Sequence, residues 1–264
     1  MTEGVHVKHS YEGRVVLVTG SSRGIGAELA SGFAAAGATV VLNARSPGPL
    51  VEAERALARQ IADAGGSGSV RSAAFDVTDE EAVRAAVAEI AATVGPVDVL
   101  VNNAGIQRRG PLTEISLADW QAVLQTNLTG AFLVSRHVAP AMIEARSGAI
   151  LNICSVQTAR ARATTAPYAA SKAGLAGLTR AMCAEWAPLG LRVNGLAPGY
   201  IATELNTALL ADPAFSAWIE DRTPARRWGE IGDLVGPALW LCSAAAAFVN
   251  GQIVYADGGM TAAL

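Results

Sequence analysis

The chain of 264 residues is short of the features that mark several large protein classes. It holds only 3 cysteines, Cys154, Cys183 and Cys242, odd in number, far apart and set in apolar segments. That excludes a disulfide framework and shows no metal-ligand spacing, so they read as reduced core residues and no metal site is expected. No uninterrupted apolar run reaches ~18 residues, so no membrane span is expected. The N-terminus lacks the basic-then-apolar pattern of a signal peptide, which points to a soluble cytoplasmic protein. A basic excess is missing too. The net charge of −3 argues against a nucleic-acid partner.

What is present is a buried-sheet composition. Hydrophobic residues make up 51% of the chain, and its 27 glycines are mostly scattered singly. The length permits one domain or two. No linker, low-complexity tract or internal repeat divides the chain, so residues 1–264 read as one domain. Residues 1–12 are polar and read as a loose arm, and His6 and His9 within it do not read as ligands.

Val15 to Thr19 is a β-rich run, followed at once by Gly20-Ser21-Ser22-Arg23-Gly24-Ile25-Gly26 and a helical pattern to Ala36. Strand, glycine turn and helix in that order let the backbone approach a pyrophosphate and aim free N–H groups at it. Thr39 to Asn43 reads as a second strand. An NAD-binding fold often has a carboxylate near this strand's end, but the chain continues Ala44-Arg45-Ser46. Arg45, helped by Arg23, would match a 2′-phosphate, which favours NADP, with NAD as the alternative.

The alternation continues. Pro49 to Ala64 reads as a helix and Val70 to Phe75 as a strand ending at Asp76-Val77. A helix follows from Thr78 to about Val94, then a strand from Val97 to Val101 closed by Asn102-Asn103-Ala104-Gly105. A long helix is predicted from Leu117 to about Ala145, with Pro140 as its bend and Asn127, a mediocre helix former, in its interior. Gly148 to Cys154 reads as a buried strand, a helix through Tyr168 as running to about Ala187, and Leu191 to Ala197 as the sixth strand. Residues 200–228 break into short pieces, the form of a substrate lid. A helix from Glu230 to Ser243 and a strand from Gln252 to Tyr255 complete the chain. The pattern predicts a doubly wound parallel sheet of about seven strands, Rossmann-type, with helices on both faces.

The chemistry concentrates between Ser155 and Lys172. Tyr168 and Lys172 are four apart and lie on one face of a helix. An ammonium beside a phenol favours the phenolate, which suits proton exchange with an alcohol. Ser155 falls at a strand's carboxyl end, where open α/β sheets bind ligands.

In order and spacing, the glycine loop, Asn102 to Gly105, Ser155, Tyr168-x-x-x-Lys172 and Pro198-Gly199 resemble the short-chain dehydrogenases/reductases, over roughly residues 13–259. The resemblance implies an enzyme. Tyr168 would be its acid/base, Ser155 would hydrogen-bond the substrate oxygen, and Lys172 would lower the Tyr168 pKa and grip the nicotinamide ribose. Asn127 would bend its helix and hold a relay water. Gly20, Ser22, Arg23, Gly24, Ile25, Gly26, Asp76, Val77, Asn103, Ala104, Gly105, Pro198, Gly199, Ile201 and Thr203 would line the cofactor site with Arg45. The family's habit of assembly implies a homotetramer, compatible with the apolar Val249 to Leu264 end.

Residues 102–109, 152–157, 197–200, 215–218 and 222–229 look more narrowly like the gluconate 5-dehydrogenases, which implies interconversion of D-gluconate and 5-keto-D-gluconate. Some members of that subgroup carry Asp where this chain has Ala44. A small sugar acid needs a cation for its carboxylate, and Arg109 is the candidate, with Gln107, Gln157 and Tyr200 as hydroxyl contacts. Arg226, Arg227 and Trp228 read as packing for the lid's return. Arg160 and Arg162 are open: they face the substrate entrance, another subunit or water. The alternatives are a reductase of a 2-keto-3-deoxygluconate-type acid or a 3-oxoacyl thioester, and, from another class, a non-catalytic NAD(P)-sensing protein.

Overall fold

The computed structural model describes residues 9–263. Residues 1–8, most of the expected arm, and Leu264 lie outside the described residues. Seven parallel strands form one sheet in the order β3-β2-β1-β4-β5-β6-β7. They are β1 (Val15–Val18), β2 (Thr39–Ala44), β3 (Ser69–Ala74), β4 (Val99–Asn102), β5 (Gly148–Ile153), β6 (Leu191–Pro198) and β7 (Ile253–Ala256). The expected Rossmann-type sheet is therefore present. The strand order reverses between β1 and β4, and such a switch point opens a crevice at the carboxyl ends of the strands.

The strands are apolar on both sides because helices cover both. Successive side chains alternate across the sheet. Val16 and Val18 face α1 (Gly24–Ala35), α2 (Pro47–Asp63) and α9 (Val235–Cys242), in a cluster with Leu29, Phe33, Leu50 and Leu241. Val15 and Leu17 face α3 (Glu80–Thr93), α5 (Gly130–Glu144) and α6 (Ala166–Trp186), in a cluster with Ile90, Val138, Met142 and Met182. Fully burying one such side chain stabilises the fold by about 1.5–3 kcal/mol. Among the described residues no helix is long and apolar enough to cross a membrane.

Two expectations need correction. The segment just before β1 is docked rather than loose. Tyr11 is buried, donates its hydroxyl to the Leu239 carbonyl at 2.5 Å and stacks edge-on against Phe33 at 4.9 Å. The predicted helix from Leu117 to about Ala145 forms, but its irregularity is not at Pro140. It divides into α4 (Leu117–Leu124), a π turn over Gln125–Thr129 and α5, with Asn127 at the centre of the turn. Pro140 sits inside α5, which continues past it to Glu144. The irregularity thus lies at Asn127, where the family resemblance implies a bend, rather than at Pro140.

After β6 the chain makes short pieces, including α7 (Thr207–Leu210) and α8 (Pro213–Arg222), before returning to the sheet. Arg226 pairs with Asp221 at 2.6 Å, and Arg227 grips Asp233 with two bonds of 2.6 and 3.1 Å. These arginines hold the return of the segment, as their position suggested. Trp228 packs with Tyr200 and Phe215.

Candidate active site

A cleft of about 1140 Å³ opens at the carboxyl ends of the strands. One end is built by the glycine loop. Gly20 and Gly24 have φ near +60°, which glycine adopts without strain. A Cβ at Gly20 would lie 2.8 Å from the Ala104 Cα, so the loop and the β4 end touch backbone to backbone. Arg23, at the N-cap of α1, makes no side-chain cap. The first-turn N–H groups of this 12-residue helix therefore remain for an anion. The cradle fits the diphosphate of a dinucleotide.

Two asparagines hold this end together. Asn103 Nδ2 donates to the Thr19 and Gly20 carbonyls, both at 3.0 Å, while Thr19 Oγ1 accepts from the Asn103 and Ala104 N–H groups. Asn103 thus lines the cleft and stitches β1 to β4. Gly26 does not line the cleft; a Cβ there would meet the Asn103 Nδ2 at 2.4 Å, so its role is clearance. Asn43 went unnoticed in the sequence. It is buried at the end of β2, accepts from the Gly20 N–H at 3.3 Å and donates to the Ala73 and Phe75 carbonyls.

Arg45, just beyond, is exposed and stands 3.9 Å from Asp76 across the cleft mouth. Asp76 Oδ1 accepts from the Thr78 N–H and hydroxyl, which leaves Oδ2 toward the cleft. Arg23 reaches Glu204, in the segment after β6, at 3.7 Å. Val77, Ser22, Ile25, Ala104, Gly105, Pro198, Gly199, Ile201 and Thr203 all line the cleft.

The other end brings Ser155, Tyr168 and Lys172 together. Ser155, at the end of β5, is buried and accepts from the Gln157 N–H at 3.1 Å. Tyr168 sits in the first turns of α6, within reach of Ser155. Lys172, one turn on, is buried; its Nζ donates to the Ile153 carbonyl at 2.6 Å and lies 5.6 Å from the Tyr168 ring centre. Burial pushes the phenol up to about 12, against the Ser155 hydrogen bond and, further out, the Arg109 charge, which both lower it. Burial also brings Lys172 down to about 8. Among the phenol's neighbours, the Ser155 hydrogen bond does most to lower its pKa.

Asn127 does not line the cleft. Its Oδ1 accepts from the Ile106 N–H at 2.8 Å, and its Nδ2 donates to the Ile106 carbonyl and to Ser171 Oγ, both at 3.0 Å. Both N–H bonds of the amide are thus spent inside the protein. The side chain clamps the loop after Gly105 to the helix of Tyr168.

Gln107, Arg109, Gln157 and Tyr200 come together in the same cleft. Arg109 donates to Gln107 Oε1 at 3.1 Å, and Gln157 Oε1 accepts from Thr165 at 2.7 Å. Tyr200 packs edge-on against Phe215, with ring centres 5.8 Å apart. Arg108 turns aside to Asp119 at 3.3 Å. Arg160 leaves the cleft for the Thr261 carbonyl, at 3.2 Å, whereas Arg162 lines it.

Comparison with known proteins agrees with this geometry. A family model described as enoyl-(acyl carrier protein) reductase, of the short-chain dehydrogenase type, matches residues 20–261. The chain is 48% identical to the gluconate 5-dehydrogenase of Gluconobacter oxydans (strain 621H), covering 97% of each chain. It is 46% identical to the 5-keto-D-gluconate 5-reductase of Escherichia coli (strain K12), covering 97% of this chain and 98% of that one. The solved structure of a gluconate 5-dehydrogenase from Burkholderia cenocepacia J2315, in complex with NADP and tartrate, superposes with a TM-score of 0.91 at 50% identity, covering 97% and 98% of the two chains. Fold, cleft and kinship place this chain in the short-chain dehydrogenase/reductase family, as an NAD(P)-dependent oxidoreductase acting on CH–OH groups.

Proposed function

We propose that the chain interconverts D-gluconate and 5-keto-D-gluconate with NADP(H). The observation that carries this reading is Arg109, which opens onto the same cleft as Ser155 and Tyr168 and has no carboxylate partner among the described residues. A polyol with a carboxylate at one end and a carbonyl further along would face both groups in that cleft. The names of the Gluconobacter and Escherichia relatives support the same substrate. Arg45 and Arg23 at the cofactor end support NADP, as does the NADP held by the Burkholderia relative.

When bound, the cofactor supplies or accepts the hydride. Everything else falls to the protein. In reduction, Tyr168 gives its phenolic proton to the oxygen forming at C5, Ser155 holds that oxygen, and the Lys172 charge offsets the phenolate left behind. In oxidation the phenolate takes the proton back. Gln107, Gln157 and Tyr200 contact hydroxyls, and residues 200–228 close over them as a lid. The full reading has one domain, a cytoplasmic location and a homotetramer, whose mass sedimentation would measure.

Product analysis tests the substrate assignment. NADPH and 5-keto-D-gluconate should yield D-gluconate; reduction of 2-keto-3-deoxygluconate or a 3-oxoacyl thioester in preference would replace it. For a carrier-bound thioester the support is thin, since Arg160 is engaged at Thr261 and Arg162 turns into the cleft.

A further inference from the structure

Three of the five arginines lining the cleft have a carboxylate close by: Arg23 has Glu204, Arg45 has Asp76 and Arg108 has Asp119. Arg109 and Arg162 have none among the described residues, and both line the substrate end. Two backbone links bring them together. The Gly110 N–H, beside Arg109, donates to the Thr164 carbonyl at 3.1 Å. Thr165, which is fully buried, bonds both the Arg162 carbonyl at 2.9 Å and Gln157 Oε1 at 2.7 Å. Thr164 adopts φ +69°, a left-handed conformation uncommon outside glycine, at the point where the two loops join.

The two guanidiniums are near enough to repel. Burial lowers the Arg109 pKa first, and the Arg162 charge lowers it further. Arg162 is held against this repulsion by the ring of Phe215 on α8, whose centre lies 4.5 Å from its Cζ. Two converging cations with no counter-charge favour an anion between them.

We propose that Arg162 is a specificity-determining residue, the second half of a two-arginine clamp for the substrate carboxylate, positioned by Phe215 of the lid. This rests on the reading of the cleft as the seat of a carboxylated polyol. An anion there would relieve the repulsion and bind one guanidinium already docked on the lid. Carboxylate recognition and lid position would then be linked through one side chain. Arg162→Met should therefore affect acids and spare neutral polyols.

The test uses the whole protein saturated with NADP+. Tartrate, a small polyol dicarboxylate, and its neutral counterpart threitol are titrated by calorimetry into the wild type, Arg162→Met, Arg162→Lys and Phe215→Leu. Arg162→Met should weaken tartrate roughly tenfold or more, the scale of a lost charge-assisted contact, and leave threitol unchanged. Arg162→Lys should recover part of the loss, and Phe215→Leu should fall between. Equal losses for tartrate and threitol, unchanged tartrate binding in Arg162→Met, or no tartrate binding by the wild type would each overturn the clamp. Tartrate binding that depends on Arg162 in a protein that ignores 5-keto-D-gluconate would keep the clamp and discard the substrate proposed above.

Discussion

The Lys172 ammonium donates to the Ile153 carbonyl at 2.6 Å, while the Tyr168 ring centre lies 5.6 Å from it. Lysine and tyrosine are thus neighbours without a direct bond, and each is shifted by burial. Lys172 falls to about 8 and Tyr168 rises to about 12. Burial thus favours the protonated phenol and works against the charged ammonium.

The pH profile follows in sign. Below about 8 Lys172 is charged and can offset the phenolate formed as Tyr168 gives up its proton; above it the charge is lost. Reductive kcat/KM, which reports the free enzyme, should be level on the acid side and fall as pH rises through that value. Lys172→Met should lose this alkaline limb together with most of the rate. Tyr168→Phe should lose on the order of a hundred- to ten-thousand-fold in rate while still binding cofactor. A profile that climbs through the same range would count against this assignment.

Arg45 is exposed at the cleft mouth, 3.9 Å from Asp76. A 2′-phosphate would give its guanidinium a better partner than that long contact. Arg45→Ala should weaken NADPH by roughly tenfold or more and leave NADH nearly untouched, the scale of a charge-assisted hydrogen bond. Parallel titrations of the two cofactors check it, and equal losses would remove Arg45 from phosphate recognition.

Asn127 makes three hydrogen bonds from a buried position in the π turn. Asn127→Ala would strand the Ile106 N–H and carbonyl and free Ser171. A loss of about 2–4 kcal/mol is expected, since buried groups left unpaired cost their full desolvation. Denaturant unfolding measures it. Activity should fall too, because the loop carrying Gln107 and Arg109 would no longer be fixed to α6.

Two glycines should respond oppositely to alanine. At Gly26 the new methyl would lie 2.4 Å from Asn103 Nδ2 and 2.5 Å from the Gly20 carbonyl, so the cofactor loop must shift. Gly26→Ala should sharply weaken dinucleotide binding. At Gly177, inside α6, nothing lies within 4 Å of the new methyl. Gly177→Ala should stabilise the protein by about 0.5–1 kcal/mol through helix propensity, with activity unchanged. Thermal melts and cofactor titrations of the pair decide both.

Much of this was readable before the structure because the signals are local. A βα alternation has its own periodicity, and the glycine turn between β1 and α1 declares itself by composition. Tyr168 and Lys172 need only helical spacing. The features that were missed depend on partners remote in the chain. Tyr11 is one aromatic residue in a polar segment, and its acceptor is Leu239. At Asn127 the resemblance implies the bend, but its partners, Ile106 and Ser171, are remote in the chain and apolar spacing does not register them. Arg162 is aimed by a junction between Gly110 and Thr164 that no periodicity marks. For Tyr168, sequence spacing reveals the charged neighbour but not the burial that raises the phenol.

Cofactor oxidation followed by absorbance, with 5-keto-D-gluconate as substrate and NADPH and NADH in parallel, tests the central claim most directly. Fast turnover with NADPH and slow turnover with NADH is the predicted result. No turnover with either cofactor, in a protein that binds NADPH, would contradict the proposed substrate.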